Sequence, residues 1–333
     1  MNKKLTINDI AKLANTSKTT ISFYLNGKTS KMSLKTKQKI EEVIKENNYQ
    51  PNILARSLNS KKTKLIGVII GDITNSFSNQ FVKGIEEIAR GAKYQLIVGQ
   101  SDYSNSNEIQ YFESMLQLGV DGFIIQPTID FKVNLPLIVD SGKPIVYLDS
   151  KIDLENAMTV MADNYQAVTE AMETLVKNNY DNYFLITADS SIISTRKERV
   201  DAFKEVLNKH GLESTTLNIK QNTSEIELKK YFDQQLDLQQ TNLIFVPNCW
   251  FLAKVFKSLK DKKNYIPDQL AILGYDNLEW TGLSSPSVTT IVQPAFEEGQ
   301  EAALILIDKI ENKNEVKTNK VLKCRINYLE STK

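Results

Sequence analysis

The segment from residue 6 to residue 27, TINDIAKLANTSKTTISFYLNG, carries the signals for two short helices joined by a turn. Thr6 starts a capping-box pattern with Asp9, and we expect the first helix to end near residue 13. Ser17 can cap a second helix over 18–25, which Asn26-Gly27 would end. Two helices separated by so short a turn predict a helix-turn-helix.

A third helix and a strong positive charge support this prediction. Ser33 can cap a helix whose Ile40, Val43 and Ile44 complete a small core. Residues 1–64 hold 14 Lys and Arg against 4 Asp and Glu, a charge of +10, whereas the rest of the 333-residue chain carries −9. Lysine and arginine gain affinity for DNA by displacing counterions from phosphates. The segment therefore predicts DNA binding, with a solvated basic arm as the alternative.

Composition narrows the classes of function. Hydrophobic residues make up 41% of the chain and charged residues 24%, and no apolar run is long enough for a membrane helix. We therefore expect a cytoplasmic protein without membrane contact. Cys249 and Cys324 give no disulfide framework, and His210 is the only histidine, so no metal site and no cofactor are predicted. Gly27-Lys28-Thr29 matches the end of a phosphate-binding loop, but Ser22 stands where that loop needs its first glycine.

The first 58 residues also carry a family resemblance. Its motifs are Leu5–Ala11, Ser17–Ser22, Leu25–Gly27 and Asn48–Leu58. In these motifs the chain resembles the DNA-binding headpiece and hinge of the lactose-repressor/galactose-repressor (LacI/GalR) family. The resemblance implies a helix-turn-helix headpiece over 1–49, a hinge helix or linker over 50–61, and an effector-binding and dimerisation domain over 62–333.

Helix-turn-helix geometry and the resemblance together predict the DNA contacts. The second helix would lie in the major groove. The family usually has an arginine where this chain has Phe23, and a phenyl ring cannot donate a hydrogen bond to guanine. The hinge would insert Leu58 between base pairs from the minor groove, while Arg56 and Lys64 would hold phosphates. For Leu58 and Phe23, packing in a core is the alternative. The predicted DNA-binding set is Thr6, Ser17, Lys18, Thr19, Thr20, Ser22, Phe23, Asn26, Asn52, Ala55, Arg56 and Leu58.

From residue 65 onward, strand-like and helix-like segments alternate. Strands are expected at 65–70, 95–98, 122–125, 145–148, 158–161, 183–187, 243–246, 270–273 and near 321–328. Helices are expected near 77–92, 107–118, 133–141, 164–178, 196–209, 225–236, 250–260 and 295–312. Such alternation predicts an α/β fold with parallel sheets covered on both faces.

Two sheets imply two lobes with a cleft between them. The resemblance implies a periplasmic-binding-protein-like body in which the chain crosses between lobes near 160, 290 and 320. Lobe one would then comprise about 62–160 and 291–320, and lobe two about 161–290 and 321–333.

Polar residues follow the predicted strands at their carboxyl ends, where α/β sheets bind ligands. Residues 199–203, Arg-Val-Asp-Ala-Phe, resemble the family's effector motif, although Ala202 replaces the usual glycine. Asn248 and Asp276 match two further ligand positions of the family. Each residue could instead cap a loop or bridge the lobes, and Trp280 is the alternative to Trp250 for stacking on a sugar. The predicted effector-binding set is Asp72, Asn75, Phe77, Gln126, Asp149, Arg199, Asn248, Trp250 and Asp276.

These patterns predict a sequence-specific transcriptional repressor whose operator affinity is controlled by a small sugar or sugar acid. Residues 274–280 and 286–294 are similar to the family branch that controls sugar-acid use, such as ketodeoxygluconate regulators. The expected partners are palindromic operator DNA, the effector and a second copy of the chain in a homodimer. We expect no enzymatic activity. The alternatives are a sugar-binding transport protein, a repressor that uses a protein corepressor, and an α/β enzyme with Asp72, Asp149 or Asp276 as acid or base.

Overall fold

The computed structural model describes residues 5–25, 27–49, 62–128, 131–152, 154–189, 194–312 and 319–333. The chain divides into two compact units, an N-terminal unit (Met1–Thr63) and a body (Lys64–Lys333). The predicted hinge over 50–61 lies outside the described residues. In the part of the chain that is described, no helix combines the length and the apolar character needed to cross a bilayer.

The N-terminal unit is a bundle of three short helices. They are α1 (Ile7–Leu13), α2 (Lys18–Leu25) and α3 (Leu34–Glu46), with a 3₁₀ turn at Thr29–Lys31. The capping box is formed, since the Thr6 N–H donates to Asp9 Oδ2 at 2.9 Å and the Asp9 N–H donates to the Thr6 hydroxyl. Ile10, Ile21 and Ile40 are fully buried in a common core. The predicted helix-turn-helix headpiece is confirmed.

The body is built from two six-stranded sheets. The first contains β1 (Leu65–Ile70), β2 (Gln95–Gln100), β3 (Gly122–Ile125), β4 (Ile145–Leu148), β5 (Met158–Ala162) and β11 (Asn319–Leu322). The second contains β6 (Asn182–Thr187), β7 (Thr215–Asn218), β8 (Asn242–Phe245), β9 (Leu270–Tyr275), β10 (Thr289–Val292) and β12 (Arg325–Asn327). Their orders are β11-β5-β4-β3-β1-β2 and β12-β10-β9-β8-β6-β7. All neighbouring strands are parallel except β10 and β12. The predicted two-lobed α/β body is confirmed.

Helices cover both sheets. They are α4 (Ser76–Gly91), α5 (Asn105–Gln117), α6 (Phe131–Asp140), α7 (Asn164–Leu175), α8 (Ser194–Lys209), α9 (Glu225–Gln235), α10 (Cys249–Ser258), α11 (Leu278–Thr281) and α12 (Ala295–Ile310). Short 3₁₀ helices at Val176–Asn178 and Lys260–Tyr265 follow α7 and α10. The core of the first lobe joins α4 and α12 to the first sheet, and that of the second joins α7 and α8 to the second. Every helix predicted for the body begins within two residues of its expected position.

The lobe boundaries and the last strand differ from the sequence-based expectation. The single strand expected near 321–328 is two strands, β11 and β12, which belong to different sheets. Because Val321 pairs with Met161, residues 161–162 and 321–322 lie in the first sheet and not in lobe two. Ile291 pairs with Tyr275, so residues 291–292 lie in the second sheet. The chain therefore crosses between the sheets near residues 163, 293 and 323.

Candidate functional site

A cavity of ≈ 660 Å³ lies between the carboxyl ends of the two sheets of the body. Gln126 directly follows β3, and Asp149 directly follows β4. Parallel strands bring their carboxyl ends to one edge, so the topology alone gathers these polar side chains. Eight of the nine predicted effector-binding residues line this cavity, namely Asp72, Asn75, Phe77, Gln126, Asp149, Arg199, Asn248 and Trp250.

The ninth, Asp276, lines an adjoining cavity of ≈ 670 Å³. The two cavities share the lining residues Ser76, Phe77, Asn277, Glu279 and Gln293. The Asp276 carboxylate accepts hydrogen bonds from the Gln293 backbone N–H at 2.9 Å and from Gln293 Nε2 at 2.7 Å. Burial raises the pKa of Asp276, and attraction from Arg199 opposes the rise. Asp276 is thus fixed to Gln293 where the two cavities meet.

Arg199 is buried, and each nitrogen of its guanidinium has a partner. Nε donates to Asn164 Oδ1 at 2.7 Å, Nη1 to the Pro247 carbonyl at 2.9 Å and Nη2 to Gln293 Oε1 at 2.8 Å. The group also lies 3.8 Å from the ring centroid of Tyr275. These contacts tie α7, the segment before α10 and the crossing at 293 to one side chain. Arg199 therefore holds the wall of the cavity in a fixed arrangement.

Asp149 presents a carboxyl group to the cavity. Its Oδ1 is buried and has no hydrogen-bond partner among the described residues. Burial raises the pKa of Asp149 to about 6, whereas attraction from Arg199 and a hydrogen bond from Gln126 oppose the rise. The Gln126 Oε1 in turn accepts the Gly71 N–H at 3.0 Å, which fixes the amide. Asp149 is thus an acceptor available to a ligand that donates hydrogen bonds.

Three other predicted residues also stabilise the loops of the cavity. Asn248 Oδ1 accepts the Ala188 N–H at 3.0 Å and joins the ends of β8 and β6. Asp72 Oδ1 accepts the backbone N–H and the hydroxyl of Thr74, both at 2.7 Å. Asn75 caps α4, with its Oδ1 accepting the Phe77 N–H at 3.0 Å. These side chains have a structural role whether or not they contact a ligand.

The aromatic residues differ in how far they are available for stacking. Trp250 is 42% exposed and lines the cavity, with its ring 5.2 Å from that of Phe251. Phe77 lines both cavities but is almost completely buried against Phe81. Trp280 packs against Phe256. Among the described residues that line the two cavities, Trp280 does not occur. Trp250, rather than Trp280, is the stacking candidate.

Among the lining residues outside the predicted set, four are notable for their chemistry or position. Thr195 and Arg196 lie in the first turn of α8, Cys249 is the first residue of α10, and Tyr103 follows β2. Asp102 and Tyr103 both have positive φ, 52° and 55°, and the Tyr103 ring lies against Gly71, where a Cβ would be 2.4 Å from the ring. Arg196 precedes Arg199 by three residues, a spacing that places both on one helix face. That spacing was the available signal for Arg196.

Hydrogen bonds join the two lobes across the cavity. Ser76 Oγ donates to Glu279 Oε1 at 3.2 Å, and the Lys151 N–H donates to Ser194 Oγ at 3.3 Å. Asn75 Nδ2 contacts the Cys249 sulfur at 3.9 Å. In the described part of the chain, no group of three His, Cys, Asp or Glu side chains is placed to hold a metal ion. The polar side chains that both lobes contribute can form hydrogen bonds with a polar organic ligand.

The predicted DNA-binding residues of the N-terminal unit lie mostly on its surface. Thr6, Ser17, Lys18 and Thr19 are exposed, and Thr20, Ser22 and Phe23 are half-buried. The Thr20 N–H donates to Ser17 Oγ at 3.1 Å, as expected for a cap of α2. The Lys31 ammonium lies 5.1 Å from the centroid of the Phe23 ring. Asn26, Asn52, Ala55, Arg56 and Leu58 lie outside the described residues.

Lys64 has partners within the body. Its ammonium forms a 2.8 Å salt bridge with Glu311 and lies 4.1 Å from the centroid of the Tyr94 ring. The predicted phosphate contact of Lys64 would have to replace or share the contact with Glu311.

Comparison with known sequences identifies both units. The profile of the bacterial regulatory proteins of the lacI family matches residues 6–52. The profile of the periplasmic binding proteins and sugar binding domain of the LacI family matches residues 63–332. A probable HTH-type transcriptional regulator EndR of Paenibacillus polymyxa is 32% identical over 93% of this chain and 92% of its own. The HTH-type transcriptional regulator KdgR of Bacillus subtilis is 30% identical over 92% of this chain and 91% of its own.

Solved structures agree on the fold. The lac repressor dimer bound to operator and the anti-inducer ONPF superposes with a TM-score of 0.85, at 22% identity, over 99% of both chains. The chain therefore belongs to the LacI family of bacterial regulatory proteins, and it is a DNA-binding transcriptional repressor with the sugar-binding body of that family.

Proposed function

We propose that this repressor binds a small sugar or sugar acid in the cavity between its lobes, and that binding changes its affinity for palindromic operator DNA. The observation that carries the proposal is the convergence of polar side chains from both lobes on one cavity of ≈ 660 Å³. Acceptors such as Asp149 and an exposed ring such as Trp250 suit the hydroxyl groups and the apolar face of a sugar. The volume lies in the range of small-molecule sites.

A ligand held between two lobes can alter their separation. Hydrogen bonds already join the lobes through Ser76 and Glu279 and through Lys151 and Ser194. A ligand that prefers one separation shifts the population towards it only by its differential affinity for the two forms, typically about 1–3 kcal/mol. In a dimer, such a shift would move the first lobes against each other and so change how the hinges meet. We expect the effector to weaken operator binding.

The proposed partner is an inverted repeat, bound by two copies of the chain. A symmetric pair of headpieces would read half-sites about one helical turn apart. The contacts would come from the DNA-binding set, with Lys18 and Thr19 exposed at the start of α2. The protein would act in the cytoplasm by binding and not by catalysis, as relatives named transcriptional regulators suggest.

Selection of bound sequences from random DNA, with and without a panel of sugars and sugar acids, tests this proposal. We expect a symmetric site whose recovery changes with at least one ligand. The base facing Phe23 is expected not to depend on a bidentate guanine contact. Recovery of no inverted repeat, or of one that no sugar or sugar acid alters, would contradict the proposed function.

A further inference from the structure

Arg196 is a cavity residue that has no salt-bridge partner in the described part of the chain. It lies in the first turn of α8, lines the ≈ 660 Å³ cavity and forms no salt bridge with any described residue. Its Nη1 donates to the Asp189 carbonyl at 2.7 Å, which orients the guanidinium. Its Nε and Nη2 make no hydrogen bond with any described residue, and together they carry three N–H groups. Arg196 is therefore positioned and still has donors for a ligand.

Arg199 has fewer donors left for this role, because only one N–H on each of Nη1 and Nη2 is not already donated to the protein. All three of its nitrogens donate to protein oxygens, those of Asn164, Pro247 and Gln293. Two guanidinium groups on one helix face repel each other, and burial together with Arg199 lowers the pKa of Arg196. An anionic ligand would supply the missing counter-charge at Arg196.

The groups beside Arg196 do not supply that counter-charge. Tyr103 and Cys249 face it, and burial raises the pKa of each to about 12, so both are neutral near pH 7. Asp189 adds attraction, but its side chain is exposed to solvent. Arg196 thus places a positive charge on the second-lobe wall, which Glu279 also lines.

The opposite wall is acidic. Asp72 and Asp149 line the first-lobe side of the cavity. A ligand with hydroxyl groups at one end and a carboxylate at the other matches this polarity, because hydroxyls donate to carboxylates and arginine binds a carboxylate through two parallel hydrogen bonds.

We propose that Arg196 is a specificity-determining residue that binds the carboxylate of a sugar-acid effector, with the hydroxyl groups of the ligand directed towards Asp149. This inference rests on the proposed function, because it names the class of ligand bound in the same cavity.

Calorimetric titration of the chain with matched pairs, galacturonate against galactose and glucuronate against glucose, tests the inference. We expect at least one acid to bind about tenfold or more tightly than its neutral partner, as a charge-assisted contact requires. Arg196→Gln should remove that preference, so that the acid binds no more tightly than its neutral partner. Arg196→Lys, which keeps the charge without the paired donors, should give an intermediate preference.

Lys197→Gln provides the matched control. Lys197 is the next residue of α8, is exposed and pairs with Asp201 on the surface, so its loss removes the same charge outside the cavity. Thermal melting and ligand-free operator binding of every variant establish that the fold is intact. An acid preference that survives in Arg196→Gln, or a wild type that prefers the neutral sugars, would overturn the role of Arg196 while leaving the proposed function in place. If the chain bound none of these sugars and no other sugar, and if no sugar changed its operator binding, both the role of Arg196 and the proposed function would be wrong.

Discussion

Glu298 is a carboxyl group buried in the first turn of α12 beside the candidate site. Its side chain is 0% exposed, and neither oxygen has a hydrogen-bond partner among the described residues. Burial raises its pKa well above the ordinary value of 4.5, with Asp149 and Asp276 adding to the rise and Arg199 opposing it. Glu298 therefore keeps its proton in the folded chain under conditions where the unfolded chain releases it.

This difference in proton binding predicts a pH dependence of stability. Between the unfolded and the folded pKa of Glu298 the folded state binds more protons, so the free energy of unfolding falls as pH rises through that interval. Each unit of separation corresponds to about 1.4 kcal/mol. Glu298→Gln cannot titrate, and we expect it to lose less stability than the wild type between about pH 5 and about pH 8. Urea unfolding at the two pH values measures the difference.

Asp149 shifts in the same direction and remains in the variant, so some pH dependence should persist. Wild type and Glu298→Gln with the same loss of stability over this range would show that Glu298 has no raised pKa in the folded chain.

At the scale of elements, two helices cross so closely that glycine is required at the contact. A Cβ on Gly84 in α4 would lie 2.0 Å from the Phe296 carbonyl oxygen, and one on Gly299 in α12 would lie 2.3 Å from that of Phe81. Backbone atoms cannot move aside as a flexible side chain can. The crossing fixes the first turn of α12, and with it Glu298, against the first sheet.

Gly84→Ala is expected to destabilise the body by about 1–3 kcal/mol, the cost typical of overpacking. Gly91→Ala, at the end of the same helix, meets no atom within 4 Å and should be neutral or stabilise by up to about 1 kcal/mol. Thermal or urea unfolding of the two variants gives the comparison. Equal stability of both would mean that α4 and α12 are not in backbone contact.

The elements also differ in how far local sequence revealed them. Strands β1, β3 and β4 have the predicted limits because each is a short apolar run buried on both faces. Strand β7 was missed because it lies at the edge of its sheet and its residues show little alternation between apolar and polar side chains. Strand β10 was missed because two threonines start it, although the fold buries all four of its residues.

At the scale of the whole molecule, DNA recognition is predicted to require two chains. Leu58 lies outside the described residues, and its role rests on the family resemblance. An apolar wedge that unstacks a base step is effective only when paired hinges bend the DNA. We expect Leu58→Ala to bind an inverted repeat at least about tenfold more weakly than wild type, equivalent to about 1.4 kcal/mol.

Affinity for a single half-site should change little in Leu58→Ala, because the headpiece contacts remain. Fluorescence anisotropy with half-site and full-site DNA at one salt concentration separates the two effects. Full-site affinity equal to that of wild type would rule out the wedge.

The sequence by itself determined the local features of this repressor: the two capped helices, the segregated charge, the alternation of strands and helices, and the polar residues at strand ends. These depend on periodicity and capping within short segments. The prediction that nine named residues bind an effector remains a prediction, although eight of them share a cavity.

Only the tertiary structure decided which distant groups meet. It placed β11 beside β5, joined Gln293 to both Arg199 and Asp276, and turned Arg196 and Tyr103 into the cavity. These contacts join residues up to about 160 positions apart in the sequence. Loop closure and the packing of whole sheets bring such residues together. No local pattern records them, because the physical cause lies in the docking of complete elements.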